Sequence, residues 1–225
     1  MSLTRLNRFP FNLHDLLKFF AIILMITDHV GLYMNGGFWL RIIGRLSMPL
    51  FAILYGSHFK NPDKKLLYYG IFLTIFQMVI KQHHIYFNIL VMFYLYSWCI
   101  KFHDSLSKNN KILFNIGMAA VNIYTSSFFE YGTLIYFFML IAKNKKLYWY
   151  LLTFFYFYLE QVFFYINSIP MNIFAITTLL LESYYLYKQE NKNLNFDNIF
   201  IRFVARYSLE VYVLQFIFFH SYKYL

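Results

Sequence analysis

Long apolar runs separated by short polar loops set the pattern of this chain. A membrane-spanning helix needs about 20 mainly apolar residues. Nine runs approach that length: roughly 15–34, 38–59, 66–81, 85–101, 111–129, 131–142, 147–166, 169–187 and 199–222. The sixth is short for a span, so eight crossings is the alternative count. The pattern predicts an all-α polytopic membrane protein, with about nine transmembrane helices in one bundle. Residues 1–225 read as a single domain, with no long linker, tandem repeat or low-complexity tail.

The loops test that count. Arg5 and Arg8 precede the first run, and Asn35-Gly36-Gly37 after it carries no charge. Lys60, Lys64 and Lys65 follow the second run, and Lys81 alone follows the third. Lys101, Lys108 and Lys111 come next, then a loop near Glu130 without a basic residue. Lys143, Lys145 and Lys146 precede the seventh run, none lies between Ile166 and Pro170, and Lys188 and Lys192 follow the eighth. Basic residues collect in cytoplasmic loops. The alternation therefore predicts nine crossings, a cytoplasmic N-terminus and an external C-terminus.

Composition agrees with the pattern. The chain is 60% apolar, 24% aromatic and 13% charged, against about 25% charged in soluble domains. Disorder is excluded, because disordered chains have low hydrophobicity. A single cysteine, Cys99, excludes an intramolecular disulfide and a cysteine-based metal cluster. The net charge of +10 is accounted for by the cytoplasmic loops. No basic patch on a soluble domain points to nucleic acid. The first apolar run leads into Asp28 and His29 rather than a small-residue cleavage site, so no cleavable signal peptide is expected.

Ionisable groups inside a bilayer are costly and mark function by default. Those well inside the runs are Asp28, His29, Arg41, Arg45, Glu160, Glu182, Arg206 and Glu210. The first four belong to one predicted hairpin that turns at Asn35-Gly36-Gly37. Asp28 and Arg45 are nearly equidistant from the turn, so both lie roughly 10 Å inside the external face. Arg41 and Arg45, four apart, share a helix face. Asp28 and His29 point about 100° apart on a helix, so Asp28 is expected to pair with an arginine rather than orient the imidazole.

Two readings of this hairpin stand side by side. In one, Asp28 neutralises Arg45 and the pair pins the hairpin. In the other, His29 is a general base, and Arg41 or Arg45 holds an anion or a developing oxyanion. Lys18, near the cytoplasmic end of the first run, either snorkels to the interface or binds phosphate. Glu160 is placed at the depth of His29. Glu182 and Arg206 are placed where they neutralise each other. His83, His84 and His103 read as solvated loop residues. No zinc-hydrolase spacing, Gly-rich phosphate loop or G-x-S-x-G elbow is present, so no metal is expected.

The run from Lys18 through Met25 to Asp28-His29, followed by Leu40-Arg41-Ile-Ile-Gly44-Arg45 and Pro49-Leu-Phe51, resembles the TraX family. That pattern is a lysine, an apolar helix ending M-x-x-D-H, then L-R-x-x-G-R-x-x-x-P-L-F. Tyr131-Gly132 and Ser208-Leu-Glu210-Val-Tyr212 are weaker echoes of later segments. The resemblance implies an integral inner-membrane acetyltransferase that uses acetyl-CoA. The family's named member acetylates the N-terminal amine of conjugative pilin subunits, and the family is similar to polytopic acyltransferases that O-acetylate envelope glycans. It implies catalytic roles for His29, Asp28, Arg45 and Arg41, and donor binding by Lys18, Arg41 and Arg45. Its partners would be the coenzyme A thioester, an external protein N-terminus or glycan, and the lipid bilayer. Relatives of this type often carry Tyr-x-x-His in the last span. Here that place reads Tyr212-Val-Leu-Gln215, and His220 lies five residues on.

The alternative from another class is a proton-coupled transporter or flippase, with the buried charges as a relay. A non-catalytic assembly factor is the third reading.

Overall fold

The computed structural model describes residues 13–34, 38–81, 87–125, 133–144 and 198–224. The described residues form nine helices and no strand: α1 (Leu13–Tyr33), α2 (Phe38–Gly44), α3 (Ser47–Ser57), α4 (Lys64–Lys81), α5 (Ile89–Ser105), α6 (Lys108–Thr125), α7 (Leu134–Asn144), α8 (Ile199–Arg206) and α9 (Ser208–Tyr224). The Asn35-Gly36-Gly37 turn, the predicted spans 147–166 and 169–187, Glu160 and Glu182 lie outside the described residues.

Two predicted spans are each interrupted. Run 38–59 divides into α2 and α3 at Arg45 and Leu46. Pro49 supplies the reason: it has no N–H to offer the Arg45 carbonyl four residues back, and its ring clashes with that carbonyl in a continuous helix. Run 199–222 divides into α8 and α9 at Tyr207, where the backbone leaves helical geometry at φ −99°, ψ 27°. No proline or glycine marks that second break. Among the described residues one helix, α1, is both long and apolar enough to cross a membrane. Its 21 residues extend about 31 Å at 1.5 Å per residue.

The helices sort into two compact units. The first holds α1, α2, α3 as far as Leu54, α8 and α9. Among the described residues its apolar packing gathers in two adjoining clusters on α1, with Phe51 of α3 touching both. Ala21 meets Leu50 and Leu54 of α3, with Leu17, Leu24 and Phe51 around them. Ile22 and Met25 meet Val204 of α8, with Val211 and Tyr212 of α9 alongside. Among the described residues α1 thus packs against α3, α8 and α9.

The second unit holds Tyr55 onward, with α4 to α7. Asn88 caps α5, accepting from Leu90 N at 3.0 Å, and its own N–H donates to Thr74 Oγ1 of α4 at 3.0 Å. Further along α5, Tyr136 donates to Asn115 Oδ1 at 2.7 Å, and the Asn115 amide reaches His103 Nε2 at 3.5 Å. His103 is a correction to the sequence reading. It is 3% exposed, because α5 continues four residues beyond the predicted span end and carries it in against α6 and α7. The charge at this end is matched: Lys143 of α7 pairs with Asp104 of α5.

Candidate functional site

The polar residues of the first unit gather where α1 is crossed by α2. The crossing is close because two glycines make it. A Cβ on Gly44 would fall on the Asp28 backbone, and one on Gly31 would stand 3.0 Å from Arg41 N. Small residues let helix backbones approach in this way. The approach fixes where the charges land.

Asp28 is 8% exposed, and it sits between two guanidiniums. Arg41 Nη1 is 2.8 Å from Asp28 Oδ2 and also donates to the Asp28 carbonyl at 3.4 Å. Arg45 Nε is 3.7 Å from Asp28 Oδ1. The depth argument paired Asp28 with Arg45. Here Arg41 is the nearer partner, because the Gly44 contact brings the C-terminal turn of α2 down on Asp28, with Arg41 on the facing side. Among the described residues the Asp28 carboxylate thus faces two guanidiniums in a half-buried place. A guanidinium carries five N–H donors in a fixed fork, more than its contact with Asp28 uses.

His29 faces elsewhere. Adjacent helix positions are about 100° apart, and that offset turns the imidazole toward α9. Gln215 Nε2 donates to His29 Nδ1 at 3.0 Å. Tyr33, Phe216 and Phe219 surround the ring, with centroids at 5.9, 6.2 and 5.7 Å. One turn along, the same two helices meet again. The Tyr33 hydroxyl donates to His220 Nε2 at 2.8 Å, and His220 Nδ1–H donates to the Phe216 carbonyl at 2.9 Å. A carbonyl only accepts, so Nδ1 carries the proton and Nε2 is the acceptor for Tyr33. His220 is 1% exposed.

The structure therefore brings Asp28, Arg41 and Arg45 together, with His29 on the adjoining face of α1. Lys18 is not in this group. It lies ten residues earlier on α1, about 15 Å along the axis, with Asp15 one turn before it. Arg206 and Glu210 flank the break at Tyr207. Sequence reasoning missed Gln215 and His220 as contacts of the site. The one signal was Gln215 itself, a polar residue in an apolar helix at the place where the resemblance led one to expect a histidine.

The ion cluster makes a stability prediction. Asp28→Asn leaves two arginines without their carboxylate. Breaking a fully buried pair costs about 3–5 kcal/mol. Arg41 and Arg45 side chains are 22% and 34% exposed, so screening lowers the expected cost to about 1–3 kcal/mol. Thermal denaturation in detergent measures it. The double variant Asp28→Asn with Arg41→Gln is expected to regain part of the loss, since it removes an uncompensated charge.

Comparison with known proteins adds two findings. A family model described as "TraX protein" matches residues 13–217. The chain is also similar to an uncharacterized protein of Rickettsia prowazekii (strain Madrid E), 30% identical over 240 aligned positions that cover 95% of each chain. No solved structure matches.

Proposed function

The chain belongs to the TraX family, and from that premise we propose that it is a multi-pass protein of the bacterial inner membrane that transfers acetyl groups. The donor is cytosolic acetyl-CoA, and the acceptor is an amine or hydroxyl on the external side, a pilin-type N-terminus or an envelope glycan. The observation that carries this reading is the Asp28, Arg41 and Arg45 cluster at 2.8 and 3.7 Å with His29 on the next face of the same helix.

Each residue has a role set by its chemistry. His29 takes the proton of the attacking group, because an imidazole titrates near neutral pH. Arg41 or Arg45 donates to the thioester oxygen as it becomes an oxyanion. Asp28 holds both guanidiniums in one orientation, so their donors are in place before the substrate arrives. Lys18 lies toward the cytoplasmic end of α1, where phosphates of the coenzyme would be received. The pantetheine arm would span the distance from Lys18 to Asp28.

A transporter reading is favoured by one feature. Paired interrupted helices near a membrane midplane are characteristic of transporters, and the first unit has breaks at Arg45 and at Tyr207. Acetyl-CoA binding separates the two. Calorimetry on purified protein in detergent is expected to give saturable acetyl-CoA binding that weakens about tenfold or more in Arg41→Gln, the loss of a charged hydrogen bond of at least about 1.4 kcal/mol. Absence of any acetyl-CoA binding by wild-type protein would favour the transporter.

A further inference from the structure

The contact between Gln215 and His29 carries an inference that deepens the reading above and rests on it. Gln215 reaches His29 from α9, across 186 residues of sequence, at 3.0 Å, and is 9% exposed. Among the described residues its Oε1 is buried without a hydrogen-bond partner. Only one end of this carboxamide is tied down, and that end is tied to the imidazole. A carboxamide has a donor end and an acceptor end on one planar group. Turned as it stands, it donates to Nδ1, and the neutral ring carries its proton on Nε2. Turned by half a rotation about its last torsion, Oε1 accepts from Nδ1–H, and the Nε2 lone pair becomes available. The rotation sacrifices no other hydrogen bond of Oε1.

We propose that Gln215 is the positioning residue that sets the protonation tautomer of His29 and lets one imidazole serve as base and then as acid. Acyl transfer needs both. The acceptor nitrogen or oxygen forms a bond to the thioester carbon while its proton passes to His29 Nε2. The ring is then an imidazolium, with two N–H donors. Nε2 now holds the transferred proton, and Nδ1–H needs an acceptor, which Gln215 Oε1 provides. The C–S bond then breaks, and the departing sulfur takes the proton from Nε2. The neutral ring is restored, and no oxidant or further reactant is consumed. A carboxylate at this position would hold the imidazolium too firmly, whereas an apolar side chain would leave Nδ1–H without an acceptor.

Other charged and titratable groups lie on the elements that carry or adjoin the pair. Asp28 and Tyr33 share α1 with His29, and Arg41 and Arg45 come from α2 and the turn after it. Tyr212, His220 and, further along, Glu210 lie on α9. His220 is engaged with Tyr33 and the Phe216 carbonyl, and Gln215 is in hydrogen-bond contact with the His29 ring.

The test uses the full-length protein in detergent, labelled with nitrogen-15 histidine, at alkaline pH where the ring is neutral. His29 signals are assigned by their loss in His29→Ala. In Gln215→Glu, an acceptor-only neighbour is expected to move the His29 signals toward the Nδ1-protonated form. In Gln215→Met, of similar shape and without hydrogen bonds, they are expected to shift from the wild-type position. With an amine-bearing peptide as acceptor, acetyl-CoA turnover is expected to fall about 10–100-fold in both, the scale known for loss of the partner that orients a metal-ligating imidazole, with KM for acetyl-CoA unchanged. Identical His29 nitrogen signals in wild type and both variants would overturn the proposal. So would a raised KM with kcat intact, which would make Gln215 part of donor binding instead. If wild-type protein consumes no acetyl-CoA, the acetyltransferase reading fails, and the nitrogen signals still decide whether Gln215 controls His29.

Discussion

Replacing His29 with alanine is expected to lower acetyl-CoA turnover by about 10²–10⁴-fold, the range that a positioned general base contributes. The expectation follows from how the imidazole is held. Gln215 fixes Nδ1 at 3.0 Å, and Tyr33, Phe216 and Phe219 confine the ring plane. A ring held by a hydrogen bond and packed among aromatic neighbours keeps its other nitrogen in place. The arginines proposed to hold the donor are on α2 and the turn after it. Acetyl-CoA affinity is therefore expected to survive the change while kcat falls. Steady-state kinetics on wild-type and variant protein, with far-UV circular dichroism to verify folding, checks this split. A variant with full turnover would remove His29 from the chemistry.

The second large effect is structural. Gly44→Val is expected to destabilise the protein by about 1–3 kcal/mol, the usual cost of forcing extra carbons into a packed place, and to abolish turnover. Even the first added carbon would land on the Asp28 backbone. The helices have no flexible side-chain tip there to move aside, so α2 must back away from α1. Arg41 and Arg45 then lose the 2.8 and 3.7 Å contacts that orient them. Gly117 provides the control. A Cβ there meets nothing within 4 Å, so Gly117→Ala is expected to leave turnover unchanged and to stabilise α6 by about 0.5–1 kcal/mol. Melting curves of both variants in the same detergent test the contrast. Equal effects at the two positions would mean that the crossing at Asp28 is not the tight point.

The charge cluster was legible in the sequence because apolar runs make ionisable residues conspicuous. Asp28, Arg41 and Arg45 stand out for that reason, and the short interval between two runs brings them to similar depth. Which arginine is nearer was not legible. Depth depends on distance from the turn, whereas contact also depends on the direction each side chain takes around its helix. The Gly44 crossing set that direction. Pro49 was visible, yet the run 38–59 reads as continuous by hydropathy, because an interruption of two residues does not change an apolar average. The break at Tyr207 has no breaker residue at all. His103 looked solvated because the predicted span ended at 101, while backbone hydrogen bonding carries α5 on to Ser105.

Gln215 and His220 were the least legible. A neutral polar residue in an apolar helix has no periodic signature, and its partner lies at the other end of the chain. The sequence showed only that Gln215 stands where relatives often have histidine. The structure adds that this place faces His29, and that His220 meets Tyr33 one turn further on. The all-helical fold was legible throughout, and the family assignment over residues 13–217 agrees with the motif read between Lys18 and Phe51.

The most direct test of acetyl transfer is to incubate purified wild-type protein, reconstituted in lipid vesicles, with acetyl-CoA radiolabelled in its acetyl group and a peptide bearing a free N-terminal amine as acceptor, and to follow the label and the free coenzyme A thiol together. The proposed function predicts loss of label from the thioester, with thiol released in equal amount, and no such loss with His29→Ala. An intact thioester with wild-type protein, under conditions where acetyl-CoA remains bound or is not bound at all, would contradict it.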